Sequence, residues 1–579
     1  MNKVKVLCAQ ICAILFLGNG VYAQSEQRGY YDASYTRYEA DQATLSKAKI
    51  TPRSFNQADL QSEASEQVCV NLSTKKSFIE WKIKEEGDGL VVRYSIPDST
   101  SGELDIYANN KPVGTLKLTS HYSWEYLWKN GNPNNSGVVN TNPRMRFDEV
   151  RMKLPSKIPT GGKLKLVNKS GTIHIDFIEL EAVPPAITAA PGDVTYSGEG
   201  YDLQNFINEN GGKTIYIPAG VYELNSELYF GVDNTTLKGA GMWYTQLHFT
   251  NQRWLKGGLY ANAKDISFSD LYLTTTCNSR SNSYKAINGI FTSGSTVKNI
   301  WAEHFECGAW IAQYNKGNVA YADGFILSHC RFRNNYADGI NLCKGTRNAI
   351  VEHCSFRNNG DDDMAIWSAD NMECQNNTYR YCTSENCWRA SGCAIYGGLN
   401  NKAHHLLIKD NLEVGIRVNN AFPGVGFNDE WMHEFSDITI IRCGTNNDLY
   451  YKPVGAIDLV VTDRNGFFVK NVRFSDIDII DSKNDAIYIM RYGGKEFVNI
   501  SFENITIDGT GKEYPGNNAR EEETVRGTGV LFKYKPAGKI TYCNFVMKNR
   551  GGNAKEDIDI SEKGTLEWKE VSGCDKSPD

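Results

Sequence analysis

The chain of 579 residues has hardly any helical periodicity, no long apolar run beyond its N-terminus, no excess of one charge and no C-x-x-C pair. Each shortage excludes something. After residue 23 no run approaches the roughly 20 apolar residues that a membrane span needs, so no spanning helix is expected. The formal net charge is only −6, with basic and acidic residues interspersed. Nucleic-acid binding calls for a basic patch or tail, and none is visible. Without C-x-x-C spacing a zinc site is poorly supported. A neutral substrate or partner fits this balance.

What is present starts with MNKVKVLCAQICAILFLGNGVYA, two lysines followed by an apolar run and a small-residue exit at Tyr22-Ala23. This reads as a signal peptide over residues 1–23, cut before Gln24, and predicts a soluble, secreted protein in the periplasm or outside the cell. Cys8 and Cys12 lie inside that segment, away from the cleavage point, which argues against a lipid anchor. Export permits disulfides among the remaining cysteines, whose odd number leaves at least one unpaired. A stacked column of buried thiols is the alternative, because most of them fall within repeats between Cys277 and Cys443.

The length predicts two units or one long repeat array, and a hydrophobic share of 41% can fill sizeable cores. Residues 24–65 are polar, with no convincing period, and read as an N-terminal arm or linker. Residues 66–184 carry short alternating stretches such as SFIEWKI, GLVVRYSI and TIHIDFIELEAV, separated by turn residues. That spacing predicts an antiparallel β-sandwich. VPPAITAAPGD within residues 185–196 reads as a linker, since its prolines stop strand pairing. YDLQNFINENGG is a short amphipathic segment ending in a glycine cap. Strands then recur to about residue 550, so residues 197–579 form one unit.

The repeat is explicit in the middle. LSHCRFRNNYADGINLCKG (Leu327–Gly345) aligns with VEHCSFRNNGDDDMAIWSA (Val351–Ala369) at an offset of 24, placing His329 on His353, Cys330 on Cys354 and Arg333 on Arg357. Irregular β repeats of roughly 20–30 residues, none able to bury its own face, predict a right-handed parallel β-helix. The short helix would cap its open end. A β-propeller fits less well, because its blades run nearer 40 residues.

The offset also divides the acidic run in GDDDMAIWSAD. Asp338 superimposes on Asp362, Ile340 on Met364 and Leu342 on Ile366. Asp338 and Asp362 should therefore be stacked neighbours. Asp361 takes the place of Ala337 and is the additional acid. Neighbouring strand residues point to opposite faces unless the chain bends, and Asn-Asn-Gly just before suggests a bend. Three converging carboxylates suit acetal hydrolysis, where one acid protonates the leaving oxygen and a carboxylate activates water. Like charges raise one pKa and keep that proton available. Asp and Asn at β-helix turns also bond backbone N–H groups or bind Ca²⁺. A structural Ca²⁺ therefore stays open, although the chemistry requires no metal cofactor.

Candidates for substrate binding follow from the same register. Trp367 faces outward with Cys343 one coil earlier, and Tyr396 and Arg417 are expected there in later coils. Lys344 can bond sugar hydroxyls. His404 and His405 lie in a loop-like stretch that could reach the cleft, and Tyr122, Trp124 and Trp128 form either a sugar platform or a packing surface.

These motifs together resemble glycoside hydrolase family 87, the secreted α-1,3-glucanases (mutanases) and mycodextranases. VVRYSIPDS, TLKLTSHYSW and FDEVRMKLP are similar to its sandwich module; IYIPAGVYEL and GAGMWYTQL are similar to the start of its helix. YADGIN and NNGDDDMAIWS are similar to its catalytic centre. The resemblance, over roughly residues 64–550, implies a carbohydrate-binding-module-like sandwich joined to a parallel β-helix. It implies catalytic roles for Asp338, Asp361 and Asp362, with Asp361 the general acid and the other two holding and deprotonating water. It also implies an α-glucan substrate cleaved with inversion; a monomer is expected. One departure is Asp363, where the family pattern leads one to expect glycine; an aspartate that tolerates left-handed geometry would let the turn survive. Two alternatives remain: a polygalacturonase-like or lyase-type β-helix enzyme, and a non-catalytic glycan-binding protein.

Overall fold

The computed structural model describes residues 33–57, 59–126, 143–198, 202–250, 257–280, 284–312, 321–447, 452–511 and 527–574. The signal-peptide segment and Trp128 lie outside these residues.

Alternating strands such as Lys163–Ser170 bury every second side chain (Leu164, Leu166) and so need a second sheet to cover them. Two antiparallel sheets meet that need. One contains Tyr35–Glu39, Lys49–Ile50, Val70–Leu72, Gly87–Ser95, Asp148–Ile158 and Ile173–Glu181. The other contains Thr44–Ser46, Phe78–Lys82, Ser101–Ala108, Lys111–Thr119 and Lys163–Ser170. Ile79, Trp81, Leu90, Val92, Ile106 and Ile178 fill the space between them.

The expected arm needs correcting. Tyr35–Glu39 pairs with Ile173–Glu181, Thr44–Ser46 with Phe78–Lys82, and Lys49–Ile50 with Val70–Leu72. These strands are only two to five residues long, too short to show a period, yet they complete both sheets. The expected linker is also shorter at its far end, because Val194–Thr195 pairs in parallel with Thr214–Ile217.

From there the chain winds into a parallel β-helix with an 18-stranded and a 12-stranded sheet. Asp202 caps the helix Leu203–Glu209 by accepting from the Gln204 N–H at 2.8 Å. Leu203 and Ile207 of that helix pack into the first coils. The offset of 24 is the observed register: Arg331 pairs with Ser355, Arg333 with Arg357, Ile340 with Met364 and Leu342 with Ile366. Cys330 and Cys354 stack in the interior, with the Cys330 N–H 3.4 Å from the Cys354 sulfur. Eleven described cysteines are free and buried, as the thiol-column reading expects, and Cys543–Cys574 forms a disulfide near the far end.

The two units share a charged interface. Arg357 reaches Glu149 and Glu179 at 2.6 Å each, while Arg333 meets Glu179 at 3.1 Å. Arg37 bridges Glu179 and Glu385, at 2.8 Å each. The repeated arginines thus face outward from the coils and dock the sandwich. Tyr122 belongs to the same seam, its ring stacked on His304 at 3.7 Å and its hydroxyl donating to the Thr275 carbonyl. Trp124 donates to the Ile96 carbonyl, so both aromatic residues are committed to packing.

Candidate active site

Asn334 and Asn358 adopt left-handed backbone (φ 55° and 56°) and turn the chain from the large sheet toward the small one. Asn335 and Asn359 then point inward and bond coil to coil at 2.9 Å. Gly360 follows where a Cβ would lie 2.4 Å from the Tyr336 carbonyl oxygen, so only glycine lets the coils close here. This corner presents the acids ahead of the strands Ile340–Cys343 and Met364–Trp367.

One oxygen from each of Asp338, Asp361 and Asp362 lies within 4.8 Å of the others. Asp338 and Asp362 occupy successive coils, with the Gly339 N–H donating to the Asp362 carbonyl at 3.0 Å. Both are buried, whereas the Asp361 side chain is 22% exposed, so the surface beside it is the candidate substrate groove. Such an oxygen set can gather around a cation, but a positive charge is already supplied. Arg280 forks onto the Asp361 carboxylate and the Gly360 carbonyl, the latter at 3.1 Å. Arg389 stands 4.0 Å from the same carboxylate.

The electrostatics separate the three acids. Burial would raise the Asp361 carboxyl, but the Arg280 and Arg389 guanidiniums outweigh it and hold Asp361 below its usual range. Burial, then the charges of Asp361 and Asp362, pushes Asp338 well above its usual range. Burial, then the Asp361 charge, pushes Asp362 up to about 7. Asp362 accepts from the Tyr396 hydroxyl at 2.9 Å, and Asp338 from the Asn341 amide at 3.3 Å.

Asp363 does not share the groove. Its oxygens accept from Asn359 at 2.7 Å and Ser384 at 2.5 Å, inside the coil, and its backbone is not left-handed. The expected left-handed turn at this position is therefore corrected. One coil earlier Gly339 leaves room, because a Cβ there would sit 2.6 Å from Phe356 and 2.5 Å from the Asp363 carbonyl oxygen.

The substrate-binding candidates divide. Trp367 pairs with Cys343 and Tyr396 in register, lies half-buried with its ring 6.1 Å from Trp310, and donates to the Phe422 carbonyl. Tyr396 is buried and spends its hydroxyl on Asp362, so it positions that acid rather than offering an open face. Arg417 aligns with Ala394, two residues from the expected column, and lies 3.5 Å from Asp458. It lines a cavity of about 420 Å³ with Phe422, Val460, Met490 and Tyr492. Lys344 pairs with Asp370 at 2.7 Å. His404 is misplaced: Lys402–Lys409 is a strand of the large sheet, Ala403 and Leu406 fill its interior, and His404 stacks edge-on against Tyr381 on that outer face. A strand with a left-handed break at His405 (φ 54°), not a loop, governs that stretch and turns both histidines outward.

Arg280, Arg389, Asn341 and Trp310 were not singled out from sequence. Trp310 lies one coil before Asn341 in register, but at an offset of 31 and not 24, so the repeat does not point to it. Arg280 sits in TCNSRSNS, outside any repeat, and no local signal marks it.

Residues 32–183 match the α-1,3-glucanase catalytic domain D1, and residues 195–525 match the α-1,3-glucanase catalytic domain D2. The chain belongs to the α-1,3-glucanases of glycoside hydrolase family 87. It is accordingly a glycoside hydrolase. The crystal structure of the Agl-KA catalytic domain is 34% identical and covers 95% of this chain and 100% of its own, with a TM-score of 0.86. The catalytic unit of a thermostable GH87 α-1,3-glucanase from Streptomyces thermodiastaticus strain HF3-3 is 23% identical, with a TM-score of 0.76 over 94% of this chain and 96% of that one. A GH87 α-1,3-glucanase catalytic domain in complex with nigerose is also 23% identical, with a TM-score of 0.77 over 94% and 99%. The last two likenesses are of fold. No curated protein sequence matches the chain. Family membership sets aside the polygalacturonase-like, lyase-type and non-catalytic alternatives.

Proposed function

We propose that this α-1,3-glucanase hydrolyses α-glucan with inversion, using Asp361 as general acid and Asp338 with Asp362 to hold and deprotonate water. The observation that carries this reading is the convergence of three carboxylates of which Asp361 alone is open to the groove. The proton on Asp361 passes to the glycosidic oxygen as the C1–O bond breaks. Water attacks C1 from the opposite side, and its proton goes to the stacked pair. Trp310 and Trp367 supply ring faces for sugar, and the cavity beside Arg417 extends the groove. Lys344 would bond hydroxyls at its edge. A monomer is part of the same proposal. Export through residues 1–23 belongs to the same reading, supported by the Cys543–Cys574 disulfide.

Retention is a second reading, favoured by one observation. Oxygens within 4.8 Å are closer than the about 6.5–9.5 Å between carboxyls in two-acid inverting sites. Proton NMR of the first sugar released from an α-1,3-glucooligosaccharide separates the two. Inversion gives the β anomer first; the α anomer first would establish retention and remove the proposed roles.

A further inference from the structure

The resting site leaves Asp361 unready for the role proposed above. Its Oδ2 is taken by the Arg280 guanidinium, and its Oδ1 accepts from the Asp362 N–H at 3.2 Å. The second contact lies within the turn and leaves Oδ2 as the oxygen able to face a glycosidic bond. A proton on Oδ2 and a guanidinium N–H pointing at it exclude each other.

The surroundings of Arg280 show how it is held. It comes from the segment after strand Ser267–Thr275, 81 residues before Asp361, and no repeat position supplies it. Ala337 stacks between Glu306 and Gly360: its N–H donates to the Glu306 carbonyl at 2.6 Å, and its carbonyl accepts from the Gly360 N–H at 3.0 Å. A methyl group there leaves the space that a long side chain would fill. The charges of Asp361, Glu306 and Asp338 all act on the guanidinium, and Lys285 in turn pairs with Glu306. Asp361 also faces Arg389, Asp338 and Asp362, and the Cys387 thiol donates to its carbonyl oxygen at 3.0 Å. The Arg280 side chain is 17% exposed, so a ligand at the surface beside Asp361 can reach it.

We propose that Arg280 is a positioning residue that latches Asp361 in its ionised form in the empty enzyme and is displaced by substrate, whereupon Asp361 takes up the proton it will donate. The proton balance closes without any further reactant. Asp361 gains one proton, from solvent or from the protonated stacked pair, and delivers it to the leaving oxygen. The stacked pair recovers one proton from the attacking water. The inference rests on Asp361 being the acid, and the experiment reports on the two ideas separately.

The experiment compares pH profiles of kcat/KM and kcat for the wild type, Arg280→Gln and Arg280→Lys on a soluble α-1,3-glucooligosaccharide. The kcat/KM profile reports the free enzyme and kcat the complex. An acid must be protonated, so its pKa sets the basic limb. Losing an adjacent cation raises a carboxyl by about 1–3 pH units. The expected result for Arg280→Gln is a basic limb of kcat/KM moved up by at least about one unit, with the kcat limb unmoved because Arg280 has already left in the complex. Arg280→Lys should fall between Gln and wild type. Equal movement of both limbs would overturn displacement by substrate. Movement of the acidic limb instead would make Asp361 the base and overturn the proposal together with the role assignment. A drop in both constants with unmoved profiles means a structural role only, which also overturns it. A change in folding is read separately from the thermal midpoint, and Arg280→Lys then carries the test.

Discussion

The Asn359 side-chain amide donates to the Asp363 carboxylate at 2.7 Å, inside the coil and apart from the three converging acids Asp338, Asp361 and Asp362. Asp363 is thus a core residue with two donors to satisfy, the second being the Ser384 hydroxyl. Asp363→Ala should leave both unpaired, at a cost of about 1–3 kcal/mol each, read as a lower urea midpoint.

The same carboxyl gives a pH prediction. Burial pushes it up to about 7, against an unfolded value of about 3.9. As pH rises through this window the unfolded chain ionises first, so the contribution of Asp363 to stability falls. Asp363→Asn removes that titration. Its stability relative to wild type should improve between pH 4 and pH 8; an equal difference at both would contradict the assignment.

At the seam between the units, Glu179 accepts from Arg37, Arg333 and Arg357. Glu179→Ala leaves the buried Arg37, Arg333 and Arg357 guanidiniums to share Glu149 and Glu385, one carboxylate short, and should cost about 3–5 kcal/mol. Burial opposes ionisation of Glu179, but the three guanidiniums outweigh it and hold the group below its usual range. Its stabilisation is therefore present above the unfolded value of about 4.3 and is lost as pH falls toward the folded one. Thermal midpoints should drop below about pH 4 in the wild type, and drop less steeply in Glu179→Gln.

Tyr396→Phe removes the hydroxyl that donates to Asp362. That bond favours the ionised carboxylate, so Asp362 should titrate above its present value of about 7. If Asp362 helps deprotonate water, the acidic limb of kcat/KM moves to higher pH. An unmoved limb would remove Asp362 from that task.

Trp367→Ala should raise KM by about tenfold, near 1.4 kcal/mol, with little change in kcat, if its ring supports sugar. The same fall in kcat as in kcat/KM would place it at the reacting centre instead.

How much of this was legible in the chain depended on distance along it. The β-helix register was readable because two neighbouring coils repeat Arg-Asn-Asn at a fixed offset, and that register alone paired Asp338 with Asp362. Strands such as Lys49–Ile50 were not readable, since two residues carry no period and their partners lie elsewhere. Arg280 and the Arg357–Glu179 pair were hidden for a related reason. Each joins residues far apart in sequence, where neither composition nor spacing records the contact. His404 was misread because two adjacent histidines look loop-like, although apolar residues inside that strand set its direction.

The most direct test is the release of reducing ends from insoluble α-1,3-glucan by Asp361→Asn, at matched folded concentration and unchanged thermal midpoint. Removal of a general acid predicts a fall in kcat of about 10²–10⁴-fold. Wild-type activity in that variant would contradict the central claim that Asp361 carries the catalytic proton.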